Sequence, residues 1–584
     1  MTDRLALLRE EMKALELDGL LIPHADAHQG EYLPPGAERL AWLTGFTGSA
    51  GMAAILRDEA ALFVDGRYTL QAQEQVKGSP FALHHLMDDP FEPWLASRVG
   101  RGERIGFDPW LHTPDGVRRL RDALDKAGAE AVPLANNPID RLWDDRPAPP
   151  QSPVRFLPET ISGKSSADKR RTVAVTLRED HVQAVVLSAP DSVCWLLNIR
   201  GDDVPYTPFV LAFALLYADE RVEVFLDPSR LPDPLDTGVR ALPPAAFGPA
   251  LDALAGRRVR LDYASAPEWV RARLAAAGAE PVRGDDPCLL PKACKNPVEL
   301  AGMRAAHVRD GVALVRFLSW LDGREGVSEL DVAAKLEAFR AESEGFLGLS
   351  FPTIAGSGPH GAIVHYKATA KSNRVLRSGE VLLIDSGGQY QEGTTDVTRT
   401  VVLGPPTVEM RTRFTQVLKG HIALSRAVFP QGTAGQQLDA LARGALWADG
   451  VDYDHGTGHG VGHALSVHEG PQRIAKRNGG AELKPGMILS IEPGYYKPDA
   501  FGIRLENLVE VISLPTPEGA ERPLLGFSPL TLAPFARALI DPARLKGEEM
   551  AWLNAYHAGV FATLSPLLGE DERTWLDMAC ARVG

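Results

Sequence analysis

Two aspartates frame the stretch VLLIDSGGQYQEGTTDVTRTVV between Val381 and Val402. An apolar run ends in Asp385, a polar Gly-rich segment follows, and a β-branched run opens with Asp396. Two strands joined by a loop are the expected structure. The midpoint of the two aspartates falls in the loop, at Tyr390–Gln391. A simple hairpin would therefore set the carboxylates opposite each other, about 5 Å apart between Cβ atoms. Facing carboxylates in a half-buried sheet repel unless a cation lies between them. The pattern then repeats. MILSIE, Met487 to Glu492, is an apolar run ending in an acid, and FGIRLENLVEV, Phe501 to Val511, carries Glu506. Their midpoint is Asp499, in the turn-like KPDAFG. Between the hairpins lies HGTGHGVG, His455 to Gly462. Asp385, Asp396, His459, Glu492 and Glu506 thus form a candidate five-ligand set.

This set is rich in oxygen, with one imidazole and no thiolate, which suits Mn²⁺, Co²⁺ or Zn²⁺. Four carboxylates carry the charge that two divalent ions neutralise, so charge balance favours a two-metal site. Two ions close together can bridge a water, lower its pKa and create a hydroxide nucleophile. A single Asp or Glu is ordinarily a solvated surface residue. That is a poor account of four acids that each end or interrupt an apolar strand.

The chain that must position these residues has 584 residues, enough for several domains. Residues 4–17 read as a helix, broken at Asp18-Gly19, with a strand starting at Leu20. Alternating helices and strands follow, the pattern of an α/β layer fold. The Pro-rich RPAPPQSP, Arg146 to Pro153, reads as a boundary. The next block echoes the first in order: AWLTGF (from Ala41) by CWLLNI (from Cys194), LFVDGR (from Leu62) by EVFLDPS (from Glu223), RIGFDPW (from Arg104) by RVRLDYA (from Arg258), and AGAE at Ala127 by AGAE at Ala277. Short apolar patterns recur in any α/β protein, but echoes in conserved order point to duplication. The expectation is two copies of one domain, residues 1–150 and 155–290. A third domain, residues 296–520, opens on Asn296-Pro297, a helix cap followed by proline at the first helical position, and holds every candidate ligand. Residues 521–584, with Trp552, Tyr556 and Val560 at helical spacing, read as a helical C-terminal segment that packs on the catalytic domain or on a partner.

Composition narrows the class. Hydrophobic residues make up 45% and charged residues 24% of the chain, as in globular proteins. A formal charge of −14 argues against nucleic-acid binding, which needs a basic surface. Cys194, Cys288, Cys294 and Cys580 are scattered without CxxC spacing, fitting reduced, buried thiols of a cytoplasmic protein. The N-terminus lacks a signal peptide's apolar core, and no run of 18 uncharged apolar residues offers a membrane span.

Asp-x₁₀-Asp, HGTGHGVG, SIEPGYY and RLEN, in this order, resemble the pita-bread metallopeptidases, which include methionine aminopeptidase, prolidase and aminopeptidase P. Creatinase shares that fold without the metals, and the filled ligand positions here exclude that branch. GPHGAIVHY (Gly358 to Tyr366), VHEGP (Val467 to Pro471), the duplicated N-terminal half and the C-terminal segment resemble the long, three-domain cytosolic form of aminopeptidase P. The resemblance covers nearly the whole chain. It implies two creatinase-like α/β domains before an α+β pita-bread catalytic domain. It also implies release of the N-terminal residue from peptides with proline second, two Mn²⁺ ions and a homodimer. By motif, Asp385, Asp396, His459, Glu492 and Glu506 would hold the metals, with Asp396 and Glu506 bridging. His365 would donate a hydrogen bond at the scissile bond, His468 would hold the peptide backbone, and His455 would lie near the proline subsite. Glu492 is also the candidate general base. Arg67, in DGRY, matches a substrate-contacting position at the mouth of the site; its bland alternative is a surface salt bridge. His360 and His463 depart from the family's commonest pattern and receive no role. The alternatives are a prolidase restricted to Xaa-Pro dipeptides and a non-catalytic binding protein on the same scaffold, which would have no need of five ligands.

Overall fold

The computed structural model describes residues 2–476 and 479–584. Among these the chain forms two compact units, one of residues 1–158 and 164–289, the other of residues 159–163 and 290–584.

The first unit opens on the helix Thr2–Ala14, which starts before the expected residue 4 and ends short of the expected residue 17. Its first sheet contains β1 (Gly19–Pro23), β2 (Met52–Leu56), β3 (Ala60–Val64), β4 (Ala82–His85), β5 (Arg104–Phe107) and β6 (Glu130–Pro133) in the order β4-β3-β2-β1-β5-β6. Its second contains β7 (Ala184–Leu187), β8 (Phe213–Tyr217), β9 (Val222–Phe225), β10 (Val239–Leu242), β11 (Arg258–Leu261) and β12 (Glu280–Arg283) in the order β10-β9-β8-β7-β11-β12. Strand order and sense agree throughout. The central strand pairs antiparallel with one neighbour and parallel with the other in each sheet. The echoed segments occupy equivalent places: LFVDGR and EVFLDPS run through the ends of β3 and β9, and RIGFDPW and RVRLDYA run through β5 and β11 into the loops beyond. Both AGAE glycines, Gly128 and Gly278, take positive φ, the left-handed cap that ends a helix before the next strand. Ion pairs and stacked rings join the two sheets into one unit, among them Arg283 on Asp115 and Trp110 on Trp269. The Pro-rich segment therefore lies within a single unit.

The second unit begins as its cap predicts. Asn296 accepts from the backbone N–H of Val298 and Glu299, while the Glu299 carboxylate accepts from Asn296 N–H, and the helix Pro297–Leu321 follows. Three sheets frame the site: β13 (Phe346–Leu349) with β16 (Gly388–Tyr390) and β17 (Gly393–Thr394); β14 (Ile354–Ser357) with β15 (Val381–Ser386) and β18 (Val397–Val402); and a six-stranded sheet of β19 (Phe429–Pro430), β26 (Leu524–Pro529), β25 (Asn507–Leu514), β22 (Ile488–Ile491), β20 (Gly458–Gly460) and β21 (Glu469–Ile474), in that order. A ribbon of β23 (Gly494–Lys497) and β24 (Phe501–Arg504) extends from the last.

The C-terminal segment differs from the expectation of a helical appendage. Residues 524–529 are a strand that extends the six-stranded sheet through β25. Residues 507–511 of β25 are buried in succession, and the strand at 524–529 pairs along an edge that would otherwise be left open. Only then come the helices Gly547–Leu564 and Glu570–Cys580. Leu553, Tyr556 and Val560 are buried in a core shared with Phe414, Leu418 and Phe535. Buried Arg399 ties this segment to the site, donating to the carbonyls of Ala533, Pro534 and Glu506. All four cysteines are free; Cys194 and Cys288 are buried as expected, whereas Cys294 and Cys580 are half-buried. No described helix is long and apolar enough to cross a membrane.

Candidate metal centre

The first hairpin is displaced from the simple expectation. β15 pairs with β18 so that Asp385 faces Thr398, and β16 and β17 continue the same register to a tight turn at Gln391–Glu392. The turn falls one position later than the midpoint of the aspartates, so Asp396 lies diagonally from Asp385. A two-residue step keeps both side chains on one face. Gly387 makes the crossing feasible, since a Cβ there would stand 2.0 Å from the Thr395 carbonyl. The second hairpin keeps its expected register. Ile491 faces Asn507 and Gly494 faces Arg504, which sets Glu492 opposite Glu506 where the sheet passes into the ribbon. Asp499 turns the ribbon with φ +57°.

β20 brings His459 between the hairpins. Its backbone N–H donates to Ser490 Oγ at 3.0 Å. Gly458 and Gly460 are required by close approach: a Cβ on either would lie 2.0 Å from the Ser490 carbonyl or 2.4 Å from that of Glu469. His459 Nδ1 donates to the Gly460 carbonyl at 2.9 Å, which fixes the ring and leaves Nε2 for a ligand. Nε2 lies 3.5 Å from Asp396 Oδ2 and 3.6 Å from Glu492 Oε1.

Donor atoms of Asp385, Asp396 and Glu506 all lie within 4.8 Å of one another, as do those of His459, Glu492 and Glu506. A third such group is Asp396, His459 and His468, whose two imidazoles meet edge to face at 4.3 Å. All five expected ligands, and His468 with them, are therefore gathered in one place.

Their electrostatics fit a cation. Among the described residues, Asp385 Oδ1 and Glu506 Oε1 are buried without a hydrogen-bond partner. Burial, then mutual repulsion with the neighbouring carboxylates, raises Glu506 well above the ordinary carboxylate range, and Asp385 and Glu492 shift the same way, opposed by Arg504. Burial works against charging His459, but its bond to Asp396 and the charge of Glu492 outweigh it and carry the pKa up to about 9. Buried acids with orphaned oxygens around an imidazole are costly unless positive charge joins them. Two divalent ions would supply it on ligands of suitable type.

Several side chains that complete the centre carry no sequence flag. Arg504 donates to Asp385 Oδ2 at 2.7 Å and to Tyr496 Oη at 2.7 Å; Thr398 Oγ1 donates to Glu506 at 2.8 Å; Ser490 Oγ donates to Glu492 at 3.2 Å. Each of Thr398, Ser490 and Arg504 stands two residues from a ligand along a strand. The period-2 rule puts such neighbours on the ligand's own face, and that was the available signal.

The remaining expected residues divide. His455 Nε2 lies 2.8 Å from Tyr496 Oη and so joins the Arg504 network. His365 is half-buried in the turn after Gly358–Ala362, a segment held against β24: a Cβ on Gly502 would stand 1.7 Å from the Gly361 carbonyl. Arg67 belongs to the first unit, where it pairs with Asp65 at 2.8 Å and Glu31 at 3.4 Å.

Comparison with known proteins agrees with this centre. The model of metallopeptidase family M24 matches residues 301–513, that of its C-terminal region residues 523–583, and two creatinase/prolidase N-terminal models residues 4–142 and 145–299. A probable Xaa-Pro aminopeptidase P of Laccaria bicolor is 42% identical over 99% of this chain and 93% of the relative. The chain belongs to the Xaa-Pro aminopeptidase P family of metallopeptidases. The crystal structure of X-prolyl aminopeptidase from Caenorhabditis elegans, described as a cytosolic enzyme with a di-nuclear active site, is similar across 100% of this chain and 99% of that one, with 35% identity and a TM-score of 0.94. A prolidase from Pyrococcus horikoshii covers 63% of this chain at 23% identity and a TM-score of 0.51, a likeness of fold alone. The family chain is thus a metal-dependent aminopeptidase built on two creatinase-like domains and an M24 catalytic domain.

Proposed function

We propose that this enzyme releases the N-terminal residue from peptides whose second residue is proline, with Mn²⁺ as its metal. The reading is carried by one observation: five candidate ligands meet in a single, largely buried cluster in a chain that aligns over 99% of its length with a probable Xaa-Pro aminopeptidase P. Asp385, Asp396, His459, Glu492 and Glu506 would hold two divalent ions. Ions there would activate a water and polarise the scissile carbonyl.

The chain's own groups do the rest. Glu492 is the base that takes up the proton lost by the attacking water and passes it to the leaving proline nitrogen. His365 donates a hydrogen bond where charge develops on the reacting peptide, an interaction stronger in the transition state than before it. His468 holds the peptide backbone beside the ligands, and His455, steadied by Tyr496, borders the proline ring. Proline has no N–H and a fixed φ, so a pocket shaped to its ring disfavours an ordinary extended residue. The resemblance also supports a homodimer, and four free cysteines support a reducing, cytoplasmic setting.

The test is metal dependence. Chelation should abolish hydrolysis of a Xaa-Pro peptide, and Mn²⁺ should restore it with two ions bound per chain. Full activity in rigorously metal-free protein would overturn the reading.

A further inference from the structure

Outside the ligand cluster, the most heavily bonded acid in the second unit is Glu329. Its side chain is fully buried, 0% exposed. It sits in the first turn of the helix Glu329–Ala341, whose start is set by a capping box: Ser328 Oγ accepts from Asp331 N–H, and Asp331 accepts from Ser328 N–H. The cap and the helix N-terminus suit an acid at this position.

The carboxylate points at the segment that carries His365. Oε1 accepts from Ser357 N–H at 2.9 Å and Ser357 Oγ at 3.1 Å, and Oε2 accepts from Tyr366 Oη at 2.9 Å and Arg374 N–H at 3.4 Å. His360 Nδ1 lies 2.9 and 3.0 Å from the two oxygens; facing oxygens that already accept from Ser357, Tyr366 and Arg374, it is the donor. The His360 and Tyr366 rings stack at 4.4 Å. One carboxylate thus grips the strand end at Ser357, the turn at His360 and the residue immediately after His365. The other side of the same segment rests on β24 at the Gly361–Gly502 contact, and β24 ends in Arg504, bonded to Asp385.

We propose that Glu329 is a positioning residue for His365: by clamping Ser357, His360 and Tyr366 it fixes the turn that presents His365 to the peptide. This rests on the role given to His365 above. It also gives His360 a task, as one jaw of the clamp. Both oxygens are saturated by donors, so an amide cannot replace the carboxylate. Either orientation of a Gln turns its NH₂ onto a backbone N–H, that of Ser357 or that of Arg374, which can only donate.

The experiment is a double-mutant cycle on the full-length, Mn²⁺-loaded enzyme with an Ala-Pro-Ala substrate. His365→Ala should lower kcat by roughly 10²-fold. Glu329→Gln should lower kcat by up to roughly 10²-fold through misplacement, with KM and metal content near those of the parent. In the His365→Ala background the same substitution should cost almost nothing further, because the two act as one unit. Tyr366→Phe removes a single hydroxyl and keeps the stacked ring. It should show the same non-additive pattern at smaller size, and it decides the matter if Glu329→Gln does not fold. Parental kcat in folded Glu329→Gln, or equal fold-losses with and without His365, would overturn the proposal while leaving the role of His365 standing. Parental kcat in His365→Ala would overturn the role of His365 and this proposal with it.

Discussion

At the scale of single residues, the centre is a problem of charge. Asp385 has one oxygen on Arg504 and the other buried without a partner, so its charge is tolerated only beside a cation. Asp385→Asn keeps the shape and removes that charge. Losing an outer-shell partner of a ligand already costs roughly 10- to 100-fold in metal affinity, and loss of a ligand's charge should cost at least as much. Metal content and hydrolysis should therefore fall together in this variant, as measured by metal analysis and peptide assay on the same sample. Retained metal with lost activity would give Asp385 another role. The ligands themselves were legible, because acids that end apolar strands contradict the ordinary rule of exposure. Their partners Thr398, Ser490 and Arg504 were not, since hydroxyls and arginines in strands are unremarkable until a register shows which face they share. The charge count from the ligands alone also lacked Arg504.

At the scale of elements, register and close approach decide which side chains meet. The second hairpin was legible because its turn at Asp499 stands midway between its acids. The first was not, because nothing in Gln391-Glu392 marks them as the turn over their neighbours. Glycines do the same work in three dimensions. Gly502→Ala would drive a Cβ to 1.7 Å from the Gly361 carbonyl, separating the His365 turn from β24. Overpacking of this kind typically costs 1–3 kcal/mol, occasionally more. Thermal unfolding should show a loss of about 3 kcal/mol. Gly559, in the helix Gly547–Leu564, has nothing within 4 Å of its Cβ position, and Gly559→Ala should stabilise by up to about 1 kcal/mol.

The packing of that C-terminal helix also sets an acid limit. His421 and His557 are buried, and burial, followed by the Arg399 charge, lowers their pKa values to about 3 and about 4. In the unfolded chain they titrate near 6.5. Between those values the unfolded state binds more protons, so the stability these histidines contribute is complete above pH 6.5 and is lost as pH falls towards their folded pKa values. His421 faces Ser425, Phe535, Trp552 and the Arg399 charge, so His421→Leu is a tolerable replacement. It should flatten the fall in denaturant stability between pH 6 and 4 by up to about 1.4 kcal/mol per pH unit. Identical slopes in parent and variant would mean that His421 takes up its proton in the native protein as readily as in the unfolded chain.

At the scale of the whole molecule, the repeat could be read from four echoes because each lies on a strand end or helix end that both sheets preserve. The strand 524–529 was missed because LLGFSP, which follows Pro523 and ends in Pro529, carries no strand alternation of its own; its place is dictated by the open edge of β25. The chain is matched over 100% of its length by an X-prolyl aminopeptidase that is 35% identical, and its choice of substrate is open to direct assay. The deciding measurement compares Ala-Pro-Ala, Ala-Ala-Ala and Ala-Pro side by side with the Mn²⁺-loaded enzyme. Rapid release of alanine from Ala-Pro-Ala, with Ala-Ala-Ala nearly inert, is the expected result. Equal rates on Ala-Pro-Ala and Ala-Ala-Ala, or cleavage of the dipeptide alone, would contradict it.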